Sequence, residues 1–240
     1  MVETAELMDI ARLVVGTTIL SYASYTDIKT RRASNMLWVI MGSVGAILLV
    51  IQYLTVPESF ENIFYLIFIP IMIFLMYVFF QMRLIFGGAD AKAIMALAIL
   101  VPLEPSIFEF PLSRSFMPFS WVVLSNSVLL FLLIPVSLLI YNIVRRNIEF
   151  PYCLLGYKMS VEKAKERFVW PLEKIVDDKR KFSYMPKEFD AESDLEIFEK
   201  NGIMDIWVTP KIPFMIPLLA GFLCSFILGD MLSHLIILII

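Results

Sequence analysis

One histidine, His234, stands in the 240 residues of the chain. With no second histidine an HExxH zinc site cannot be built, and a Ser/His dyad would depend on that one residue, near the far end of the last apolar run. The two cysteines, Cys153 and Cys224, form no CxxC; one lies in a charged segment and the other in an apolar one. Neither a zinc site nor a disulfide framework is supported. There is no P-loop and no GxGxxG, so nucleotide chemistry has no foothold, and no other sequence feature asks for a cofactor, a metal or a nucleic acid. Charge is scarce, at 18% of residues, and the net charge of −3 matters less than where the charges stand. No internal repeat or low-complexity tract is present. A removable signal is also not expected: the first apolar run is preceded by Glu3, Glu6 and Asp9 rather than by a basic region.

What the chain does have is apolar length. Hydrophobic residues make up 59% of it and its mean hydropathy is +0.79, the mark of a membrane protein. Six stretches approach the roughly 20 residues needed to cross a bilayer core, near 7–27, 35–56, 62–82, 88–103, 119–143 and 212–236. The expected fold class is therefore an all-α polytopic membrane protein of six transmembrane helices, with a small mixed α/β insert before the last. Residues 1–146 would form helices one to five, 147–208 the soluble insert, and 209–240 the closing helix. Lys29, Arg31, Arg32, Arg83, Arg145 and Arg146 follow the odd-numbered stretches, whereas Glu58, Glu61, Glu104 and Glu109 crowd the opposite loops. The positive-inside rule then puts both termini outside and the insert in the cytoplasm.

Within the insert, one helix is expected over 160–168 and another over 193–201, the second with Ser193 and Glu196 as a capping box and Gly202 as its stop. Strand-like runs stand at Phe168-Val169-Trp170 and Ile206-Trp207-Val208. Gly42-Ser43-Val44-Gly45 reads as a helix-packing surface.

The chemistry concentrates at two acids. Asp90 lies in Phe86-Gly87-Gly88-Ala89-Asp90-Ala91-Lys92, flanked by apolar runs. A carboxylate at membrane depth costs roughly 2.5–3.5 kcal/mol even on a mild insertion scale, so it marks a functional site by default. The glycine pair breaks the helix and lets another backbone approach. Asp27 ends the first apolar stretch, and the orientation puts it at the same depth as Asp90. Two carboxyls sharing a site do not both ionise; one holds a proton as acid while the other acts as base on water. Asp90 at a helix N-terminus favours the ionised form and Asp27 near a C-terminus does not, so Asp27 is expected to hold the proton and Asp90 to act as base. The competing readings are an N-cap for Asp90, an interfacial acid paired with Lys29 or Arg31 for Asp27, and a snorkelling lysine for Lys92.

Gly87-Gly88-Ala89-Asp90 with Lys92 resembles the GxGD motif of intramembrane aspartyl proteases. The run Ser24-Tyr25-Thr26-Asp27-Ile28-Lys29-Thr30-Arg31-Arg32-Ala33-Ser34-Asn35, an acid followed by basic residues and then Asn, is similar to the first catalytic region of type IV prepilin peptidases. With the insert before the last span, the whole chain resembles the archaeal preflagellin (archaellin) peptidases. Ala89 replaces the glycine of bacterial relatives, which fits the archaeal branch. The cysteine-rich domain of many bacterial members is absent, leaving no support for an added methyltransferase activity, and no presenilin-type PAL motif occurs. The resemblance implies a membrane aspartyl endopeptidase that removes a short basic leader from preflagellin or pilin-like precursors at the cytoplasmic face. Asp27 and Asp90 would be catalytic, and Gly87, Gly88 and Ala89 would admit an extended substrate. The Gly87-Gly88 break further suggests that leader binding draws the two acids together. The acids Glu188, Asp190, Glu192, Asp194 and Glu196 could attract the basic leader, but a run of this kind is more commonly a solvated helical face.

The rival reading is a proton-coupled transporter or channel, prompted by Asp230 and His234 four residues apart on the last helix. Against it stand the absence of a repeat and of any continuous path of charges.

Overall fold

The computed structural model describes residues 2–60, 64–82, 84, 87–176, 179–183 and 191–239. Glu61, Arg83, Phe86, Glu188 and Asp190, all singled out from the sequence, fall outside them. The chain divides into two compact units, Met1–Phe131 with Pro213–Ile240, and Leu132–Ile212.

The first unit is helical: α1 (Val2–Thr30), α2 (Asn35–Thr55), α3 (Phe64–Gln81), α4 (Gly88–Leu100) and α5 (Phe119–Phe131) lead, after the second unit, to two closing helices over Met215–Ile227 and Met231–Ile239. Ser34 caps α2 by accepting a hydrogen bond from the Met36 amide at 3.3 Å. The buried residues of α2 (Trp38, Met41, Gly45 and Gln52) make one stripe at helical spacing. Pro70 sits inside α3 without ending it, as transmembrane helices tolerate.

Helix α4 lies at the centre. Ala91, Ala93, Ala96 and Ala98 alternate with Ile94, Leu97 and Leu100, all buried, and the small side chains let neighbouring helices close in. Its most extensive packing is with α2 and α3, with less against α5 and little against α1. A Cβ on Gly45 would stand 2.5 Å from Leu100 Cα and 2.8 Å from the Ile99 carbonyl oxygen, so Gly45 lets the α2 and α4 backbones touch. Packing of this kind, rather than exclusion of water, holds helices together in lipid.

The acidic start of α1 is not a solvated face. Arg12 is fully buried and donates to Asp9 Oδ1 at 2.8 Å and to Gln52 Oε1 at 2.6 Å. Asp9 and Glu6 in turn accept the amides of Ser106 and Phe108, at 2.9 and 2.6 Å. These bonds tie the segment after α4 to the first helix. A buried guanidinium survives only because it is paired in this way.

Among the described residues, three stretches are long and apolar enough to cross a membrane: Thr4–Thr30, Asn35–Thr55 and Phe119–Val144. The closing pair Met215–Ile227 and Met231–Leu238, bent by 72°, makes a fourth if counted as one span. Leu66–Gln81 is a shorter apolar helix. Helix α4, at 13 residues, rises about 20 Å. The fold is thus mostly helical; among the described residues three of the six expected spans are single membrane-length helices, and the others are shorter or bent. Two local causes are visible. The expected 88–103 helix ends at Leu100, where Val101 leaves the helical region (φ −125°, ψ 76°) ahead of Pro102. The expected 212–236 helix breaks where Gly229 takes φ +81°.

Asn126 of α5 secures that break. Its side chain donates to Gly229 O at 2.8 Å and Ser225 Oγ at 2.9 Å, and accepts from the Met231 amide at 3.1 Å. Asp230 restarts the chain as a helix by accepting from the Ser233 amide and hydroxyl, and it also accepts from Ser115 Oγ at 2.8 Å. Its link to His234 is only through the backbone, the His234 amide donating to Asp230 O at 3.3 Å. The two residues that prompted a proton relay thus serve a helix terminus.

The second unit opens on α6 (Leu133–Val144) and α7 (Tyr152–Leu155), followed by β1 (Tyr157–Ser160), α8 (Val161–Lys165), β2 (Val169–Pro171), β3 (Glu173–Val176), β4 (Lys179–Phe182), α9 (Ala191–Lys200) and β5 (Asp205–Pro210). The closing helices of the first unit are α10 (Met215–Ile227) and α11 (Met231–Ile239). Strand β5 is central in an antiparallel sheet of order β1-β5-β2, with Tyr157 opposite Val208 and Trp170 opposite Thr209. β3 and β4 form a separate hairpin. Alternation along β5 serves two cores: Ile206 and Val208 pack with Val161, Ala164, Leu195 and Phe198, while Trp207 packs with Cys153 and Leu172. Helix α8 is shorter than the 160–168 helix expected: it ends at Lys165 and the chain turns over 166–168 into β2. Helix α9 begins before Ser193, so the expected capping box does not start it. It stops in a Schellman arrangement at Gly202 (φ +69°), with Ile203 N donating to Phe198 O and Gly202 N to Glu199 O.

Candidate active site

Helix α4 starts at the glycine pair. Gly87 is its N-cap (φ −88°, ψ 108°), and its carbonyl accepts from the amides of Asp90 and Ala91 at 3.1 and 3.2 Å. Asp90 is thus in the first helical turn, and its carboxyl folds back over Gly87. A Cβ on Gly87 would collide with Asp90 Oδ2 and stand 2.7 Å from its Cγ. Gly87 is therefore needed less for backbone freedom than for the empty space above its Cα. Gly88 has a milder neighbour: a Cβ there would meet the Phe80 ring of α3 at 3.3 Å. Ala89, Gly87, Gly88 and Asp90 are all half-buried.

Asp27 is half-buried near the C-terminal end of α1. The helix closes one turn later with Arg31 in the left-handed region (φ 55°), its amide donating to Asp27 O at 3.0 Å. One turn before Asp27, buried Ser24 donates to the Met215 carbonyl at 2.9 Å and so ties α1 to the start of α10. The Arg31 charge acts on Asp27, and the Asp27 charge acts on Asp90. The two acids are near enough to feel each other, yet among the described residues no hydrogen bond joins their carboxyls. Acid–base activation of water needs two carboxyls that share one site, one holding a proton and the other free to accept one.

Lys92 is more than a snorkelling lysine: its Nζ donates to Oδ1 of Asn35, the first residue of α2, at 2.9 Å. The pairing joins the stretch that follows Asp27 to the stretch that carries Asp90. Asn35 stands out in the sequence only as the end of a basic run, and nothing local pairs it with a residue far along the chain.

The family model described as "Type IV leader peptidase family" matches residues 14–143, more than half of the chain and both acids. A second, described as "Archaeal Peptidase A24 C-terminus Type II", matches residues 148–231. Among curated proteins, the chain is 29% identical over 235 residues to the preflagellin peptidase of Methanocaldococcus jannaschii, covering 90% of this chain and 93% of that one. It is 24% identical to the preflagellin peptidase of Methanococcus voltae, covering 93% and 97%, and 26% identical to that of Methanococcus maripaludis, covering 90% and 94%.

Proposed function

The chain belongs to the type IV leader peptidase family and is a protease, and from that premise we propose that it removes the leader peptide of preflagellin-type precursors with Asp27 and Asp90 as its catalytic pair. The observation that carries this reading is that two half-buried acids stand at the ends of separate helices within the matched part of the chain, and that the Lys92–Asn35 bond joins the stretches that carry them. One carboxylate takes a proton from water as the oxygen attacks the scissile carbonyl, while the protonated partner donates to the carbonyl oxygen. The tetrahedral diol then collapses, the C–N bond breaks, and the leaving amine takes up the proton. In this scheme one acid of the pair holds the proton and the other acts as the base.

The membrane arrangement proposed is six passages, with α1, α2, α3, α4, the stretch α5–α6 and the bent pair α10–α11 each counted once. Both termini face outward. The basic residues Lys29, Arg31, Arg32, Arg145 and Arg146, together with the insert, face the cytoplasm. This arrangement brings the N-terminal ends of α2 and α4 to the cytoplasmic face, where a basic leader meets its apolar helix. Substrate binding draws Asp27 and Asp90 into direct contact.

The test is leader removal from a preflagellin by the full chain in membranes, followed by gel shift, for wild type, Asp27→Asn and Asp90→Asn. Wild type cuts, and each variant, present at normal level, is inactive. Cutting by either variant would show that its aspartate is structural.

A further inference from the structure

Asp90 and Asp27 are carried by helices that scarcely touch. Helix α4 packs little against α1 and most against α2 and α3, and α2 packs against α1 as well, so α2 bridges the two helices that carry the acids. That helix follows α1 after a short link over 31–34, and it runs parallel to α4: Asn35 meets Lys92 at one end, and Gly45 meets Leu100 ten residues further along α2. The far end of this seam is fixed by backbone contact at Gly45, where there is no room to slide. The near end, beside the acids, is joined by the Lys92 Nζ to Asn35 Oδ1 bond at 2.9 Å.

Electrostatics alone does not send Lys92 there. The N-termini of two parallel helices lie side by side, each with about half a positive charge from its aligned peptides. An ammonium group at that point is unfavourable on its own, yet the exposed Lys92 side chain is held there on Asn35 rather than left to water alone. Lys92 also lies two residues beyond Asp90, roughly 200° around the helix, so it does not share the face that carries the acid. What remains is a directional bond that sets the register of α4 on α2.

We propose that Lys92, through Asn35, is a positioning residue that holds Asp90 at the depth of Asp27. The proposal rests on the reading of those acids as the catalytic pair. It predicts a loss in turnover without a loss in substrate binding, because the two carboxyls are misaligned while the leader still docks.

The experiment measures kcat and KM for leader removal by the full chain in membranes, for Lys92→Met, Asn35→Leu, the double variant and Asn35→Asp. Asp27→Asn and Asp90→Asn serve as controls. A misplacement on the order of 1 Å costs about a hundredfold in rate, so each single variant is expected to lower kcat ten- to a hundredfold, on the order of that penalty, with KM little changed. The double variant should be no worse than the poorer single one, since both remove the same bond. Asn35→Asp, which keeps an acceptor for the ammonium, should retain most of the turnover. If Lys92→Met does not accumulate, Lys92→Gln, which keeps a donor, and Asn35→Leu are compared instead, with the same expectation of partial rescue against loss. Full turnover in Lys92→Met or Asn35→Leu, additive losses, or a change confined to KM would overturn the proposal. Activity in the aspartate controls would instead overturn the catalytic assignment on which it stands.

Discussion

Substituting Gly87 by alanine separates the two things a glycine can provide. Its backbone, at φ −88° and ψ 108°, lies in the region open to any residue, so alanine brings no torsional strain. As an N-cap without a side-chain hydrogen bond, Gly87 contributes little there beyond its backbone, and replacement by alanine costs at most about 1 kcal/mol of helix stability. The added Cβ is a different matter. It would collide with Asp90 Oδ2 and stand 2.7 Å from Cγ, against an ordinary contact of about 3.5–4.0 Å. The carboxyl must swing away by roughly 1 Å or more, and a displacement of that size costs about a hundredfold in turnover. Gly88→Ala is the matched comparison, since its Cβ meets only the edge of the Phe80 ring at 3.3 Å, and a ring can give by a few tenths of an ångström. Leader-removal assays on both variants, with protein level and thermal stability in detergent checked alongside, should show Gly87→Ala folded and nearly inactive. Gly88→Ala should be folded and active to within a few-fold. If Gly87→Ala cuts like wild type, the carboxyl position seen here is not the one used in catalysis.

Two further outcomes follow from the polar contacts of each unit. Asn126→Leu leaves Gly229 O, Ser225 and the Met231 amide without their shared partner; at about 1–3 kcal/mol for each buried group left unsatisfied, detergent melting should show a clear loss of stability. An unchanged melting temperature would mean that the α10–α11 break is held elsewhere. In the second unit, Glu149 is held below the ordinary glutamate range by hydrogen bonds from Lys158 and from Trp207 Nε1. A carboxyl depressed in the folded state stabilises above its unfolded pKa and loses that contribution as pH falls through the lower folded value. Wild type should therefore melt slightly above Glu149→Gln at neutral pH, by a small margin because the carboxyl is largely exposed. The difference should vanish in strong acid. A gap that persists unchanged at low pH would refute the assignment.

Much of the molecule can be read from local pattern. Apolar runs of membrane length, the loop asymmetry of lysine and arginine, the strand at 206–208 and the stop at Gly202 each depend on residues within one or two turns of one another. Hydrophobic periodicity and backbone preference report such relations directly. The same holds for the glycine pair ahead of Asp90, although the sequence suggests a flexible break where the fold uses an empty Cβ position. Helix ends were harder to place. Whether 88–103 continues past Leu100, or 212–236 past Leu228, depends on what catches the freed backbone, and in the second case that is Asn126 on another helix.

The relations that decide the site were of another kind. Ser24 meets Met215, Arg12 meets Gln52, and Lys92 meets Asn35, across gaps of 191, 40 and 57 residues. Nothing in composition or spacing selects such partners, because a serine, a glutamine or an asparagine has the same local preferences whether its partner is water or a distant backbone. The sequence by itself determined that this is a membrane-helical protein with two acids worth pairing. Only the tertiary structure decided that the stretch after Asp27 and the stretch carrying Asp90 are joined through Asn35 and Lys92, because side-chain contacts are chosen by which helix faces pack together, and that choice is made by the whole chain at once.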